Sequence, residues 1–402
     1  MTAPEPIYPR FRLADIATVK GGKRLPPNSE LLRVITPHPY IRGQDIRDGK
    51  ISFDDPTFID AETHQRIQRY TVSAGDVCIT IVGNIGDVGI VPQSLHGANL
   101  TENAVKLIDL RADCDPRFLA YALLSHDAQS QMKLSAAGAA QPKLGIYKVN
   151  EIRLVYPPIQ VQRRIAAILS AYDDLIENNL RRIKILEEMA RALYREWFVE
   201  FRFPGHAKVP RVASAMGPIP KGWEVASLSS LVDFAKGRKP KETRKTSLLG
   251  DVKLLLIAAL EGGANEFTSP EKLVIAGTHD TIMVMDGASS CDVAIGFSGA
   301  VGSTLGRFRV KETDSFSPHA LYHFLASNAE GFKQKNIGAA IPHANKDYIL
   351  SQLIAIPPRP IMSQFDTQVT PIHSLIEINK ARVQNLRRTR DLLLPRLLNG
   401  VC

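Results

Sequence analysis

Apolar residues recur at three-and-four spacing in two stretches of the chain. The first runs through Ile165, Ile168, Tyr172, Leu175, Asn179, Ile183, Leu186, Ala190, Leu193 and Trp197. The second runs through Phe365, Val369, Ile372, Ile376, Asn379, Val383, Leu386, Arg390, Leu393 and Leu397. That period predicts two long helices. The stripe is narrow for a helix on a broad core and suits a coiled-coil seam, although the step from Asn179 to Ile183 breaks strict heptads. The two seams are expected to pack on each other, antiparallel. Asn179 and Asn379 fall on them, either as buried amides that fix register or as half-exposed residues near a crossing. Pro371 and Pro395 predict a second helix that begins near the one and kinks or ends near the other.

Elsewhere the pattern is of short β-rich runs, such as Val77-Cys78-Ile79-Thr80-Ile81-Val82 and Leu254-Leu255-Leu256-Ile257, bounded by Gly, Asp and Pro. Short helices are expected around Pro116 to Leu124 and Pro318 to Leu325. The fold class is α+β: two β-rich domains and two long antiparallel helices.

The chain also repeats itself. Gly83-Asn84-Ile85-Gly86 matches Gly299-Ala300-Val301-Gly302, Asp76-Val77 matches Asp292-Val293, and Lys20-Gly21 matches Lys236-Gly237, each 216 residues on. Later the spacing becomes 200: Gly138-Ala139-Ala140 with Pro142 matches Gly338-Ala339-Ala340 with Pro342, and Pro157-Pro158 matches Pro357-Pro358. Leu175-Ile176-Glu177 and Asn179 match Leu375-Ile376-Glu377 and Asn379 at that spacing. A duplication explains this, and it divides the chain into domains 1–157 and 204–357, each followed by a helix, 158–203 and 358–402.

Length and composition agree: 402 residues at about 150 per domain make two or three units, with 44% hydrophobic and 23% charged residues. No apolar stretch approaches a membrane span and the N-terminus lacks a signal-peptide core, so a cytoplasmic protein without a membrane partner is expected. Cys78, Cys114, Cys291 and Cys402 are scattered, without a metal or redox spacing. A formal charge of +9 favours a polyanionic partner only weakly.

Enzymatic signatures are missing. There is no G-x-x-x-x-G-K-[ST] phosphate loop, and Gly43 to Lys50 has the wrong spacing. His319 and His323 stand four apart, but Ala320 occupies the place of a general-base Glu, so they read as ordinary core or surface histidines. Pro157-Pro158 and Pro357-Pro358 lack the flanks of a base-holding methyltransferase motif. Phe297-Ser298-Gly299-Ala300-Val301-Gly302 reads as a turn, not a cofactor loop.

Several segments point further. Pro157 to Ile165 (PPIQVQRRI), Asp173-Asp174-Leu175-Ile176-Glu177-Asn178-Asn179 and Ala190 to Phe198 (ARALYREWF) resemble the central spacer of type I restriction-modification specificity subunits. Leu386 to Gly400 resembles that family's C-terminal spacer, and Gly217-Pro218-Ile219-Pro220-Lys221-Gly222-Trp223 the opening of its second recognition domain. Tyr40-Ile41-Arg42-Gly43-Gln44-Asp45-Ile46 and Gly75-Asp76-Val77 are similar to features of its target-recognition domains, whereas Leu256 to Gly263 departs from that pattern.

The resemblance implies a non-catalytic, nucleoid-associated reader of a split, asymmetric double-stranded DNA target. It implies two methyltransferase subunits, which carry S-adenosylmethionine, and restriction or motor subunits, which use ATP and Mg, with no cofactor or metal on this chain. Within it, Lys20, Lys23 and Arg24 beside flexible Gly21-Gly22 are candidates for phosphate contacts, as are Lys236, Arg238, Lys239, Lys241, Arg244 and Lys245. Arg42, Gln44, Asp45 and Asn84 are candidates for base contacts. A stand-alone duplicated DNA-binding regulator is the alternative, and an enzyme with divergent motifs is the third reading.

Overall fold

A computed structural model describes residues 8–136, 142–263, 265–338, 342–398 and 400. Two compact units emerge. One joins the residues up to Asn178 with those from Arg382 on, and the other is Asn179–Ala381. Each unit is therefore closed by a piece of helix encoded in the other half of the sequence.

The first unit is built on a six-stranded sheet ordered Thr18–Gly21, Ala104–Ile108, Val77–Thr80, Val88–Ile90, Gly49–Ile51, Ile46–Arg47. Val77 to Thr80 are buried on both faces, which explains a continuous apolar run where an alternating one would serve a half-exposed strand. Helix Pro116–Leu124, capped by the Asp115 side chain on the Arg117 and Phe118 amides, lays Phe118, Leu119 and Leu123 in the core. A parallel pair, Tyr40–Ile41 with Asn99–Leu100, stands beside the sheet.

The second unit carries the same parts. Val232–Lys236, Leu305–Val310, Thr281–Val284 and Val293–Ala294 form one sheet. Val252–Leu255 runs parallel to Gly299–Val301. Helix Pro318–Lys333 starts at a Ser317 cap and covers the core.

These parts correct the repeat alignment inside the domains. Lys23 N–H donates to the Leu100 carbonyl as Arg238 N–H does to Val301, so Lys23 is equivalent to Arg238 and not to Lys239. Gly22 is the partner of Gly237: a side chain on either would sit about 2 Å from the carbonyl of Thr101 or Gly302. The glycine is thus demanded by close backbone approach, not flexibility. Asp76 accepts from the Ser73 amide as Asp280 does from Gly277, which pairs it with Asp280, not Asp292. Gly83, with φ of +79°, matches Gly287 at +103°. Gly299-Ala300-Val301 is therefore a buried strand equivalent to the one at Asn99-Leu100, not the turn expected from its resemblance to Gly83-Asn84-Ile85-Gly86. The duplication stands, and insertions of a few residues displaced its register. The match of 138–140 to 338–340 lies largely outside the described residues, as do Asn399 and Cys402.

The long helices are Ile159–Tyr194 and Arg359–Leu398. In the first unit Ile165, Ala166 and Leu169 share a core with Leu393, Leu394, Leu397 and Leu398. In the second, Ala190, Tyr194 and Trp197 share one with Phe365, Val369 and Ile372. As one helix advances its partner recedes, so within each unit the pieces are antiparallel. Ile176, Ile183, Ile376 and Val383 are buried, and Leu186, Leu193 and Leu386 half-buried. Asn179 and Asn379 are buried too, and Asn379 donates to the Leu375 carbonyl at 2.7 Å. The seam is shifted from the expected one near its start: Leu169, Asp173 and Ile176 are buried, Ile168 and Tyr172 half-buried, and Leu175 50% exposed.

Pro371 and Pro395 neither start nor end the second helix, which runs through both. Each is exposed, so the carbonyl that loses its donor faces solvent, while buried Val369 and Ile376 hold the helix across Pro371.

Candidate nucleic-acid interface

Four of the expected contact residues line one cleft of about 510 Å³ in the first unit: Arg24, Arg42, Gln44 and Asn84, with Tyr40, Thr101, Glu102 and Asn103. They arrive there from different elements. Arg24 follows the strand Thr18–Gly21, Arg42 and Gln44 follow Tyr40–Ile41, and Asn84 tops the turn whose Asn84 carbonyl accepts from the Thr80 hydroxyl.

Their availability differs. Arg42 is a clamp: it bonds Asp45 at 2.7 Å, Asp55 at 3.2 Å and the Asp55 carbonyl at 2.6 Å. Asp45 is buried, both its oxygens accept from Arg42, and one also caps the Arg42 amide. This pair organises the loop, and a base contact by Arg42 or Asp45 would have to be made from within it. One end of the Gln44 carboxamide lies 3.2 Å from the Arg42 guanidinium, where an accepting oxygen fits.

Asn84 is exposed. Arg24 is exposed while bonding Glu102 at 2.8 Å. Burial alone would raise the Glu102 pKa, but the bond and charge of Arg24, together with hydrogen bonds from the Glu102 backbone and the Thr101 hydroxyl, hold the carboxyl below its usual range. Lys20 is exposed outside the cleft, and the Lys23 ammonium lies 5.8 Å from the Tyr70 ring centre.

In the second unit Lys236, Arg238, Lys239, Lys241 and Lys245 are exposed. Lys236 pairs with Asp286 at 3.1 Å beside a cleft of about 430 Å³ that also holds His343 and Lys346. Arg244 is half-buried and tied to Glu242 at 2.8 Å and to buried Asp251 at 3.1 Å, so it serves the loop as Arg42 does. The counterparts of Tyr40 and Ile41 are Leu254 and Leu255, since each pair runs parallel to its equivalent strand. The residues after them, Leu256, Ile257, Ala258 and Ala259, offer no polar side chain where the first unit has Arg42, Gln44 and Asp45. The two clefts thus share a scaffold and differ in chemistry.

With the register corrected, Lys23-Arg24 and Arg238-Lys239 occupy the same backbone position, and Ser303 stands beside Lys239 where Glu102 pairs with Arg24. Sequence reading missed Glu102 and Asn103, which carry no motif of their own. It also missed that Arg390, half-buried on the seam, meets buried Asp173 at 2.6 Å.

A family model for the type I restriction modification DNA specificity domain matches residues 8–188 and 220–386, the two repeats. The chain belongs to this family. A type I restriction enzyme specificity subunit from Methanocaldococcus jannaschii, MjaIX, is 23% identical over 337 residues, 81% of this chain and 77% of the relative. The HindI specificity subunit of Haemophilus influenzae is also 23% identical, over 354 residues, 71% of this chain and 77% of that one. Among solved structures, the S subunit of a type I restriction-modification system from M. genitalium superposes with a TM-score of 0.61 at 13% identity, covering 99% of this chain and 97% of that one. This chain is a DNA-recognition specificity subunit, and membership of this family makes it non-catalytic by itself. Among the described residues no helix is long and apolar enough to cross a membrane.

Proposed function

We propose that the domains 1–157 and 204–357 each read one half of a split, asymmetric duplex target. The helices 158–203 and 358–402 serve as the platform for two methyltransferase subunits, which bring S-adenosylmethionine to an adenine. Restriction or motor subunits using ATP and Mg join the same assembly. The observation that carries this reading is the Lys-Arg pair at one backbone position of both repeats, Lys23-Arg24 and Arg238-Lys239. Lys20, Lys236, Lys241 and Lys245 extend each basic strip toward the phosphates, and Gln44 and Asn84 reach for base edges. The unlike clefts give the two half-targets different sequences.

Replacing Lys20, Lys23 and Arg24 by Ala should flatten the dependence of DNA affinity on salt by about one unit of slope per lost phosphate contact. The measurement is affinity across a salt series for the chain with its methyltransferase. An unaltered slope would return this strip to the solvated surface.

The closure of each unit by the other half's helix makes a second test. Residues 1 to about 207 should pair as a homodimer and, with the methyltransferase, modify a symmetric site built from two inverted first half-targets. In that dimer Asp173 meets Ala190 in place of Arg390. Ala190→Arg in the half-chain should therefore tighten the dimer by at least about tenfold, which needs only about 1.4 kcal/mol. Sedimentation measures the pairing and methylation mapping the site. Modification of an asymmetric site by the half-chain would end the proposal of one half-target per repeat.

A further inference from the structure

In both repeats the loop that leads from the basic strip to the parallel strand holds a pair of apolar side chains out in solvent. In the first unit these are Val34 and Ile35, 75 and 82% exposed. In the second they are Leu248, 58% exposed, and Leu249, fully exposed. Both pairs stand six and five residues before equivalent positions, Tyr40 and Leu254.

The loops are built to present these residues. In the first, Leu32 bridges to Phe58, Arg33 pairs with Asp55, and the Thr36 hydroxyl donates to the Ile59 carbonyl at 2.7 Å. In the second, Arg244 bridges to Phe267, and the buried Asp251 carboxylate accepts from the Leu248 amide at 3.0 Å, closing a turn with Leu249 at its tip. Such ties keep the side chains from folding back. Exposed apolar pairs in two copies of one loop call for an apolar partner surface.

We propose that these pairs are wedges that enter the base stack of duplex DNA, one in each half-target. The reading rests on the DNA-recognition function proposed above and names further residues for it. The occupant follows from charge. Lys20, Lys23, Arg24 and Arg33 against Glu30 lead into the first pair, and Lys236, Arg238, Lys239, Lys241, Arg244 and Lys245 against Glu242 lead into the second. A partner that meets a basic strip and, at its end, takes in two branched aliphatic side chains is a polyanion with an apolar interior. In DNA the large apolar surfaces are base faces, reached when a step is partly opened, whereas a base edge offers at most a methyl group. Opening a step also makes recognition sensitive to which step is opened, without hydrogen bonds to it.

The test uses the full chain with its methyltransferase and a duplex carrying the site mapped from methylated bases in the host genome. 2-Aminopurine is placed at successive positions of each half-target. Apart from the adenine that the methyltransferase flips out, wild type should brighten one further position in each half. The double substitution L248S/L249S should abolish that signal in the second half and weaken binding at least tenfold, and V34S/I35S should do so in the first. L248M/L249M, which keeps apolar bulk, should retain both. Binding by wild type with no further brightened position, or serine variants with unaltered affinity and signal, would overturn the wedges alone. Serine variants that release the methyltransferase would overturn them too, making the loops a protein-docking surface. A wild-type complex that fails to bind the duplex would instead sink the underlying DNA reading.

Discussion

Replacing Arg390 by Ala should destabilise the first unit by about 3–5 kcal/mol, the cost of leaving one member of a buried ion pair without its partner. Asp173 is nearly enclosed, receives the Arg390 guanidinium at 2.6 Å and accepts the Tyr121 hydroxyl. Burial and the neighbouring carboxylate both hold the Tyr121 phenol far above its ordinary pKa, so it remains a donor. One hydroxyl cannot replace the cation. The double variant D173L/R390M, which removes both charges and keeps apolar volume, should recover most of the loss. Hydrogen exchange on helix Pro116–Leu124 reads the first unit separately from the second. If R390A leaves that protection unaltered, the pair contributes nothing to the unit's stability.

This pair shows where the sequence was legible and where it was not. The periodicity of apolar positions located both long helices, and it placed Arg390 on the seam as an oddity opposite Ala190 in the repeat. It could not supply the partner, because Asp173 lies one position after Tyr172 on a helix that periodicity alone set a residue out of phase. A single buried polar residue among the apolar ones is enough to blur that phase. The domains were harder. Their strands are short, and insertions of one to ten residues between them move the spacing of the repeat along each domain. The matches at 216 residues were therefore partly chance, and only backbone pairing restored Lys23 to Arg238 and Asp76 to Asp280. Of the candidate contacts, charge identified the basic strips. It could not separate Lys23 or Lys239, which face solvent, from Arg42 and Arg244, which hold loops together, since an arginine in a loop has the same letter in either employment.

The same place in the second unit holds the opposite chemistry and should make that unit sensitive to acid. His373 stands where the first unit has Asp173, and Ala190, which lines a cavity with it, where the other has Arg390. His373 stacks on His319 with ring centres 4.3 Å apart, and its Nε2 lies 3.1 Å from that of His323. Burial pushes His319 down to about 4 and His323 and His373 to about 3, with repulsion second, from His279 on His319 and from the neighbouring rings on His323 and His373. The charged and titratable neighbours are Glu187 and Arg191 from the first long helix, Glu377 and Lys380 from the second, and Tyr322 and His279. Arg191 and Lys380 oppose protonation further. Above about pH 6.5 folded and unfolded chains are both neutral at these rings, and nothing is lost. Below it the unfolded chain binds protons that the folded unit refuses, so stability falls with pH until the folded rings protonate near pH 4 to 3. Each ring that stays neutral costs about 2 kcal/mol at pH 5, so two of them would cost roughly 4 kcal/mol. Exchange protection of helix Pro318–Lys333 should fall steeply between pH 7 and 5, after correction for intrinsic rates, while helix Pro116–Leu124 loses much less. The double variant H319L/H323L replaces two of the three rings by apolar side chains, and should flatten the decline to the contribution of His373 alone. An undiminished acid sensitivity in that variant would move its origin away from the histidine cluster.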